Sequence, residues 1–157
     1  MLEIERKFLV ESDEFKKLAT SKDNMIQGFL NTDPERTIRI RIMGDSAFFT
    51  VKGRTSPNGL SRFEWEYQIP LADGRALLEL CEQRPMEKIR YRVPVHGHVF
   101  EVDEFFGVNE GLLLAEVELR HEEEAVVLPD WLGKEVTGQT KYYNSQLALK
   151  PYTTWND

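Results

Sequence analysis

With Cys81 as its single cysteine, the chain cannot close an internal disulfide, and this points to a reducing compartment. Its three histidines, His96, His98 and His121, have no cysteine beside them, which argues against a Cys/His zinc site. His96 and His98 flank Gly97 and read as part of a solvated turn. The glycines never gather into a Walker loop or a G-x-G-x-x-G run, which removes the common phosphate-loop folds. No Ser-His-Asp arrangement is visible. No apolar run approaches the length of a membrane span. An acidic residue at position 3 and the lack of an apolar leader argue against a secretory signal. Basic residues are also in deficit, 20 against 27 acidic, for a net charge of -7. That excludes duplex nucleic acid as a nonspecific partner, because such binding relies on a basic surface. A small anion held by a local basic cluster stays open. The expectation is a cytoplasmic protein with no membrane partner.

What is present is enough for one domain. At 157 residues the chain can bury a core without disulfides or structural metal. Its 30% charged and 41% hydrophobic residues are those of a globular protein. Period-two alternation predicts eight strands, at 1–10, 25–31, 36–43, 47–53, 61–69, 87–95, 98–106 and 112–120. Helical spacing predicts a short helix after Ser12 running through Phe15 to Ala19 and a second over 72–84. A last short helix falls over 141–149, and 129–138 reads as loop. Trp65 reads as core on the outer face of the fifth strand, Trp131 as a loop anchor, and Cys81 as a packing residue.

Most of these strands set an apolar face against a charged one. In the first, Glu3, Glu5 and Lys7 oppose Leu2, Ile4 and Phe8; in the third, Arg39 and Arg41 oppose three isoleucines. The charges are sorted by strand. The first, seventh and eighth supply carboxylates, the third, fourth and sixth supply Lys and Arg, and the fifth supplies both. An open sheet with a solvated charged face would show such alternation. So would a closed eight-stranded barrel with its charges inward, wide enough for one small ligand.

The first strand sharpens the choice. Glu3 and Glu5 sit roughly 7 Å apart on one face, where two carboxylates repel by about 2 kcal/mol at an effective dielectric near 20. Water would tolerate that repulsion. A shielded interior would need a cation or a proton between them, and both carboxyls would then have raised pKa values without metal. Opposed acidic and basic walls suit a polyanion that carries a divalent cation. Carboxylates supply hard oxygen ligands for Mg²⁺ or Mn²⁺, arginines grip phosphate with two-bond forks, and lysines act as point charges. Phosphoryl transfer asks for this positioning and charge stabilisation.

Glu3-Ile4-Glu5-Arg6-Lys7 matches E-x-E-x-K, and further stretches follow in order. They are R-I-R (39–41), T-V-K (50–52), L-S-R-F-E-W-E (60–66), E-K-I-R-Y (87–91), E-V-D (101–103), E-V-E (116–118), W-L-G-K-E-V-T-G (131–138) and K-Y-Y-N (141–144). The ordered set resembles the CYTH superfamily, the triphosphate tunnel metalloenzymes, in its short bacterial branch. The resemblance implies an α+β, mainly antiparallel chain: a closed eight-stranded barrel over 1–150 with a charged interior and a few flanking helices, then a tail at 151–157. It implies a hydrolase that removes the terminal phosphate of a triphosphate, inorganic tripolyphosphate first, with adenylate cyclase and thiamine or nucleoside triphosphatase as alternatives. A non-catalytic polyphosphate binder is a further alternative. One or two Mg²⁺ or Mn²⁺ ions are implied, with Glu3, Glu5, Glu116 and Glu118 as chief ligands and Glu64, Glu66 and Asp103 in support. Lys7, Arg39, Arg41, Lys52, Arg62, Lys88, Arg90 and Lys141 would hold the phosphates, and Glu5 and Lys52 are the catalytic candidates. Relatives in this branch often carry Tyr where this chain has Phe29. The oligomeric state, monomer or homodimer, is left open.

Overall fold

A computed structural model describes residues 2–156. Among the described residues there are nine strands: β1 (Leu2–Val10), β2 (Ser21–Asn31), β3 (Arg36–Met43), β4 (Ser46–Gly53), β5 (Ser61–Ile69), β6 (Met86–Val95), β7 (His98–Phe105), β8 (Leu113–Glu118) and β9 (Leu132–Glu135). Three helices accompany them: α1 (Glu14–Leu18), α2 (Leu71–Leu78) and α3 (Asn144–Leu149). The strands run in the order β5-β4-β3-β2-β6-β7-β8-β1-β9, and β1 also pairs with β5. That last pairing, Leu2 with Phe63 through Ile4 with Ser61, closes eight antiparallel strands into a barrel. Beyond Ile4 the same edge of β1 leaves β5, and from Phe8 it pairs with β9. One strand therefore has two successive partners on one side, and the barrel wall opens between them.

Alternation fixes the barrel's sidedness. Most apolar side chains point outward, where the helices and loops cover them; Met25, Phe29 and Met43 are exceptions that line the interior. Under α1, Phe15 is fully buried edge-on against Tyr91, at 5.3 Å between ring centres, and against Trp131. Burial of a side chain this size contributes about 1.5–3 kcal/mol. The α2 helix covers Ile40, Ile42 and Ala47 with Leu78. Gly74 permits the approach, since a Cβ there would lie 2.5 Å from that of Ala47. A third cluster lies on the inward face, where Phe29, Met86 and Phe105 pair with Arg39, Gln27 and Lys88 and meet Tyr142 and Leu147 of the C-terminal segment. The β6–β7 hairpin turns on His96 and Gly97, both at positive φ (45° and 84°), the two-residue geometry that matches strand twist.

The eight barrel strands fall where alternation places them, most bounds moving by a residue or two; Met1 lies outside the described residues. The second strand starts earlier, at Ser21, because the polar run Lys22-Asp23-Asn24 pairs with β6. The helix expected over 72–84 stops at Leu78. Leu80 turns out to solvent, and the chain tightens through i to i−3 bonds at Leu80 and Cys81. The region expected as loop holds β9, four residues without alternation whose pairing is supplied by β1. The last helix is split into a 3₁₀ turn (Thr140–Tyr142) and α3 by an extended Tyr143 (φ −69°, ψ 136°). Trp65 is not core. It is more than a third exposed and stacks parallel on Tyr67 at 5.7 Å, because no helix covers β5. No helix among the described residues is long and apolar enough to cross a membrane.

Candidate active site

The inward faces enclose a polar cavity of about 240 Å³. Its walls are Glu3, Glu5 and Lys7 from β1; Arg39 and Arg41 from β3; Lys52 from β4; and Arg62, Glu64 and Glu66 from β5. The circuit is completed by Lys88 and Arg90 from β6 and by Glu116 and Glu118 from β8. Register brings the acids together: Glu5 sits directly across from Glu118, and Lys7 across from Glu116. Two of the predicted residues lie elsewhere. Asp103 is buried behind the wall, giving one oxygen to Arg90 Nε at 2.8 Å and the other to Arg90 Nη2 at 2.9 Å and Lys88 Nζ at 2.8 Å. Lys141 is not on the cavity wall; its ammonium lies 4.6 Å from the Trp155 ring centre. Arg92 and Glu101 do line the cavity, and extending the period-two count by one step from Arg90 and Asp103 would have found them. Phe29, Met25, Met43 and Thr37 line it as well. Asn144 and Ser145 enter from α3, a contribution that no strand pattern could signal.

Each wall carries its own compensation. Lys52 bridges Glu3 at 3.1 Å and Glu64 at 3.2 Å, and Arg62 lies 3.7 Å from Glu3. Glu66 accepts from the Thr50 hydroxyl at 2.7 Å and from Arg39 and Arg41 at 3.4 Å each. Burial would raise the Glu66 carboxyl, but these three donors outweigh it and hold it below the usual range. The expectation of two raised carboxyls on β1 holds for one of them. Glu5 is pushed well up by burial and by the Glu116 and Glu3 charges, and it shares a hydrogen bond with Glu116. Glu3 is lowered, because Lys52 and Arg62 overcome the effect of its burial. Glu116 is held well down despite burial, by Lys7 and by that hydrogen bond. Glu5 thus keeps the proton and Glu116 the charge. Burial also raises Glu64 and Glu118, helped by the charge of Glu3.

On the opposite side, the Nε atoms of Arg39 and Arg41 are buried with no hydrogen-bond partner among the described residues. Two such forks facing one space are suited to the oxygens of a phosphate chain. Burial and the neighbouring cations Arg39 and Arg90 push Arg41 down to about 9, so it still holds its proton at neutral pH. Lys88 is pushed further, to about 7, chiefly by burial and with Arg90 assisting against the pull of Asp103 and Glu116. A cation with that pKa loses its charge as pH rises through neutrality. Metal-free binding of tripolyphosphate should therefore weaken by about tenfold between pH 6 and pH 8, the value of one charge-assisted hydrogen bond. Calorimetry in EDTA reads this, and the same slope in Lys88→Met would sink it.

The acidic residues also fit a divalent cation. Among the described residues no three His, Cys, Asp or Glu already form a ready ion-binding cluster. The carboxylates are instead spaced by ammonium groups and one shared proton. A proton held between two buried carboxyls marks the point where a dication replaces it most favourably.

A closed antiparallel tunnel with one acidic and one basic wall defines a class of protein that binds polyanions together with cations. Residues 1–150 match the CYTH domain, and the chain belongs to that family. The inorganic triphosphatase of Acetivibrio thermocellus is 43% identical over 156 residues, covering 99% of this chain and 98% of its own. That of Nitrosomonas europaea is 40% identical over 154 residues, covering 95% and 98%. The crystal structure of the inorganic triphosphatase NE1496 superposes with a TM-score of 0.66 at 36% identity, covering 93% of this chain and 97% of the other.

Proposed function

We propose that this protein hydrolyses the terminal phosphate of a small triphosphate, inorganic tripolyphosphate first among them. The observation that carries the reading is that Arg39 and Arg41 of β3, whose buried Nε atoms have no hydrogen-bond partner among the described residues, line one 240 Å³ cavity together with Glu5 and Glu116. The naming of full-length relatives as inorganic triphosphatases supports it. Arg39, Arg41, Arg62 and Lys7 bind the phosphate chain, and Lys88 and Arg90, fixed from behind by Asp103, extend the basic wall. Lys52 stands between the two walls and neutralises charge that builds on the bridging oxygen as the terminal phosphoryl group leaves. Glu3, Glu5, Glu116 and Glu118 would hold Mg²⁺ or Mn²⁺, one ion or two, with Glu64 and Glu66 in support. A bound ion supplies Lewis-acid polarisation of phosphate oxygens and a more acidic water. Lys141 is left out of this set because it rests on Trp155, and Asp103 acts as an anchor for cations because both its oxygens are engaged. The reading places the protein in the cytoplasm.

A substrate panel tests it. Purified protein with Mg²⁺ or Mn²⁺ should release phosphate from tripolyphosphate faster than from ATP or thiamine triphosphate. Conversion of ATP to cyclic AMP at an equal or greater rate would overturn it.

A further inference from the structure

Three cations of the basic wall are held by one short stretch of the C-terminal segment, 142–144. Lys7 Nζ donates to the Tyr142 carbonyl at 3.4 Å and lies 5.2 Å from the centre of the Tyr143 ring. The Arg62 guanidinium lies 5.6 Å from the same ring. Lys88 Nζ donates to Asn144 Oδ1 at 2.8 Å, and Gln27 Nε2 donates to that oxygen at 2.6 Å. The stretch is itself fixed. Tyr142 is buried in the third core cluster, the Tyr143 amide closes the 3₁₀ turn on Thr140, and its carbonyl accepts from Gln146 and Leu147. Leu147 is fully buried. Tyr143 therefore cannot drift without unmaking the start of α3.

Its position matters because the barrel is open there. Where β1 exchanges β5 for β9, a narrow void of about 20 Å³ runs past Glu3, Glu5, Lys7 and Arg62 to Gly59, Gly138 and Tyr143. The phenol ring stands in that gap, between the two cations inside and the outer groove at Arg54 and Thr140. A space of that size admits a single water. The ring so limits solvent around Lys7 and Arg62, and a drier setting strengthens their attraction for an anion. Long Lys and Arg chains also lose rotamer freedom when a ligand orders them. Holding them in advance removes that cost from binding.

We infer that Tyr143 and Asn144 are positioning residues, which set Lys7 and Arg62, through the ring, and Lys88, through the amide oxygen, in the arrangement that receives the triphosphate. The inference rests on the proposed function for the identity of the anion. The ring face, not the hydroxyl, does the holding for Tyr143, and a single lone-pair acceptor does it for Asn144.

Four variants test this: Tyr143→Phe, Tyr143→Leu, Asn144→Ala and Asn144→Asp. Metal-free binding of tripolyphosphate is measured by calorimetry in EDTA, KM and kcat with Mg²⁺, and folding by near-ultraviolet dichroism. Tyr143→Phe should bind within about twofold of the parent, and Tyr143→Leu about tenfold more weakly, the range of a partly desolvated cation–ring contact. The loss should fall on KM, leaving kcat nearly unchanged. Asn144→Ala should weaken binding more at pH 8 than at pH 6, because Lys88 loses an acceptor for its charged form. Asn144→Asp should flatten the same pH profile. Equal binding by the Leu and Phe variants, whether both match the parent or both fall, overturns the ring's role. A pH-independent loss in Asn144→Ala overturns that of the amide. If Tyr143→Leu does not fold, the Asn144 pair still decides the inference. Parent protein that binds the anion but does not hydrolyse it would refute the hydrolase reading and leave the comparison of variants intact.

Discussion

Glu5→Gln should reduce triphosphate hydrolysis by a hundredfold to about a thousandfold, the range seen when one group that stabilises transition-state charge is removed. The barrel should stay folded, and at neutral pH become more stable. The two effects have one cause. Glu5 is buried beside Glu116 and Glu3 and holds its proton well above the usual carboxylate range. In the unfolded chain the same carboxyl ionises at its ordinary pKa, so the folded state is penalised from that pH upward, increasingly until its raised pKa is passed. Glutamine keeps a donor for Glu116 and cannot ionise, so the penalty disappears. Its stability advantage should be absent in acid and grow as pH rises above the ordinary carboxylate range. Denaturant melts at pH 4 and pH 8 measure this, and phosphate release from tripolyphosphate measures the loss of turnover. A variant that keeps full activity would remove Glu5 from the site. One that is less stable than the parent at pH 8 would show that the buried carboxyl is not under strain. Lys52→Ala should abolish turnover too, but with the opposite effect on stability, since Glu3 and Glu64 lose the ammonium that separates them.

That a single residue can be costly to the fold and needed for the chemistry explains why the first strand was readable and ambiguous together. Glu3-x-Glu5-x-Lys7 gives sidedness directly, because strand side chains alternate, and the sorted charges of the other strands made a closed, inward-facing arrangement coherent. What alternation cannot give is the environment of each charge. Glu3 and Glu5 are indistinguishable by spacing, yet closure of β1 on β5 brings Lys52 and Arg62 into ion-pair range of Glu3 and not of Glu5. Asp103 lies on the same strand face as Glu101 and still ends behind the wall, engaged by two cations from β6. The short β9 has no period of its own, and Asn144 enters the site from a six-residue helix whose sequence resembles any polar helix start. Trp65 misled for a related reason. An aromatic at an outward strand position is core only where a helix covers that strand, and coverage is a property of the tertiary fold.

Asp103→Asn should be among the most destabilising single changes in the chain, about 3–5 kcal/mol, the cost of leaving buried cations without their counter-ion. Its carboxylate and the Lys88 side chain are 2% and 1% exposed, and the two forked bonds from Arg90 are at 2.8 and 2.9 Å. Asparagine has the right shape and one acceptor, but it turns two amide hydrogens toward groups that are themselves donors. With a urea slope near 2 kcal/mol per molar, the unfolding midpoint should drop by about 2 M. The pH dependence has a definite sign. Burial opposes ionisation of Asp103, but Arg90 and Lys88 overcome it and lower its folded pKa. Its contribution is therefore present above the unfolded carboxylate pKa and is lost as pH falls through the folded one. The parent should lose stability in that acid range, and Asp103→Asn should lack this part of the acid limb. Adding Lys88→Met to Asp103→Asn should recover part of the loss, since removing both charges leaves less unpaired than removing one. If Asp103→Asn instead melts within about 0.5 kcal/mol of the parent, the change is an ordinary surface-like one and Asp103 does not anchor the basic wall.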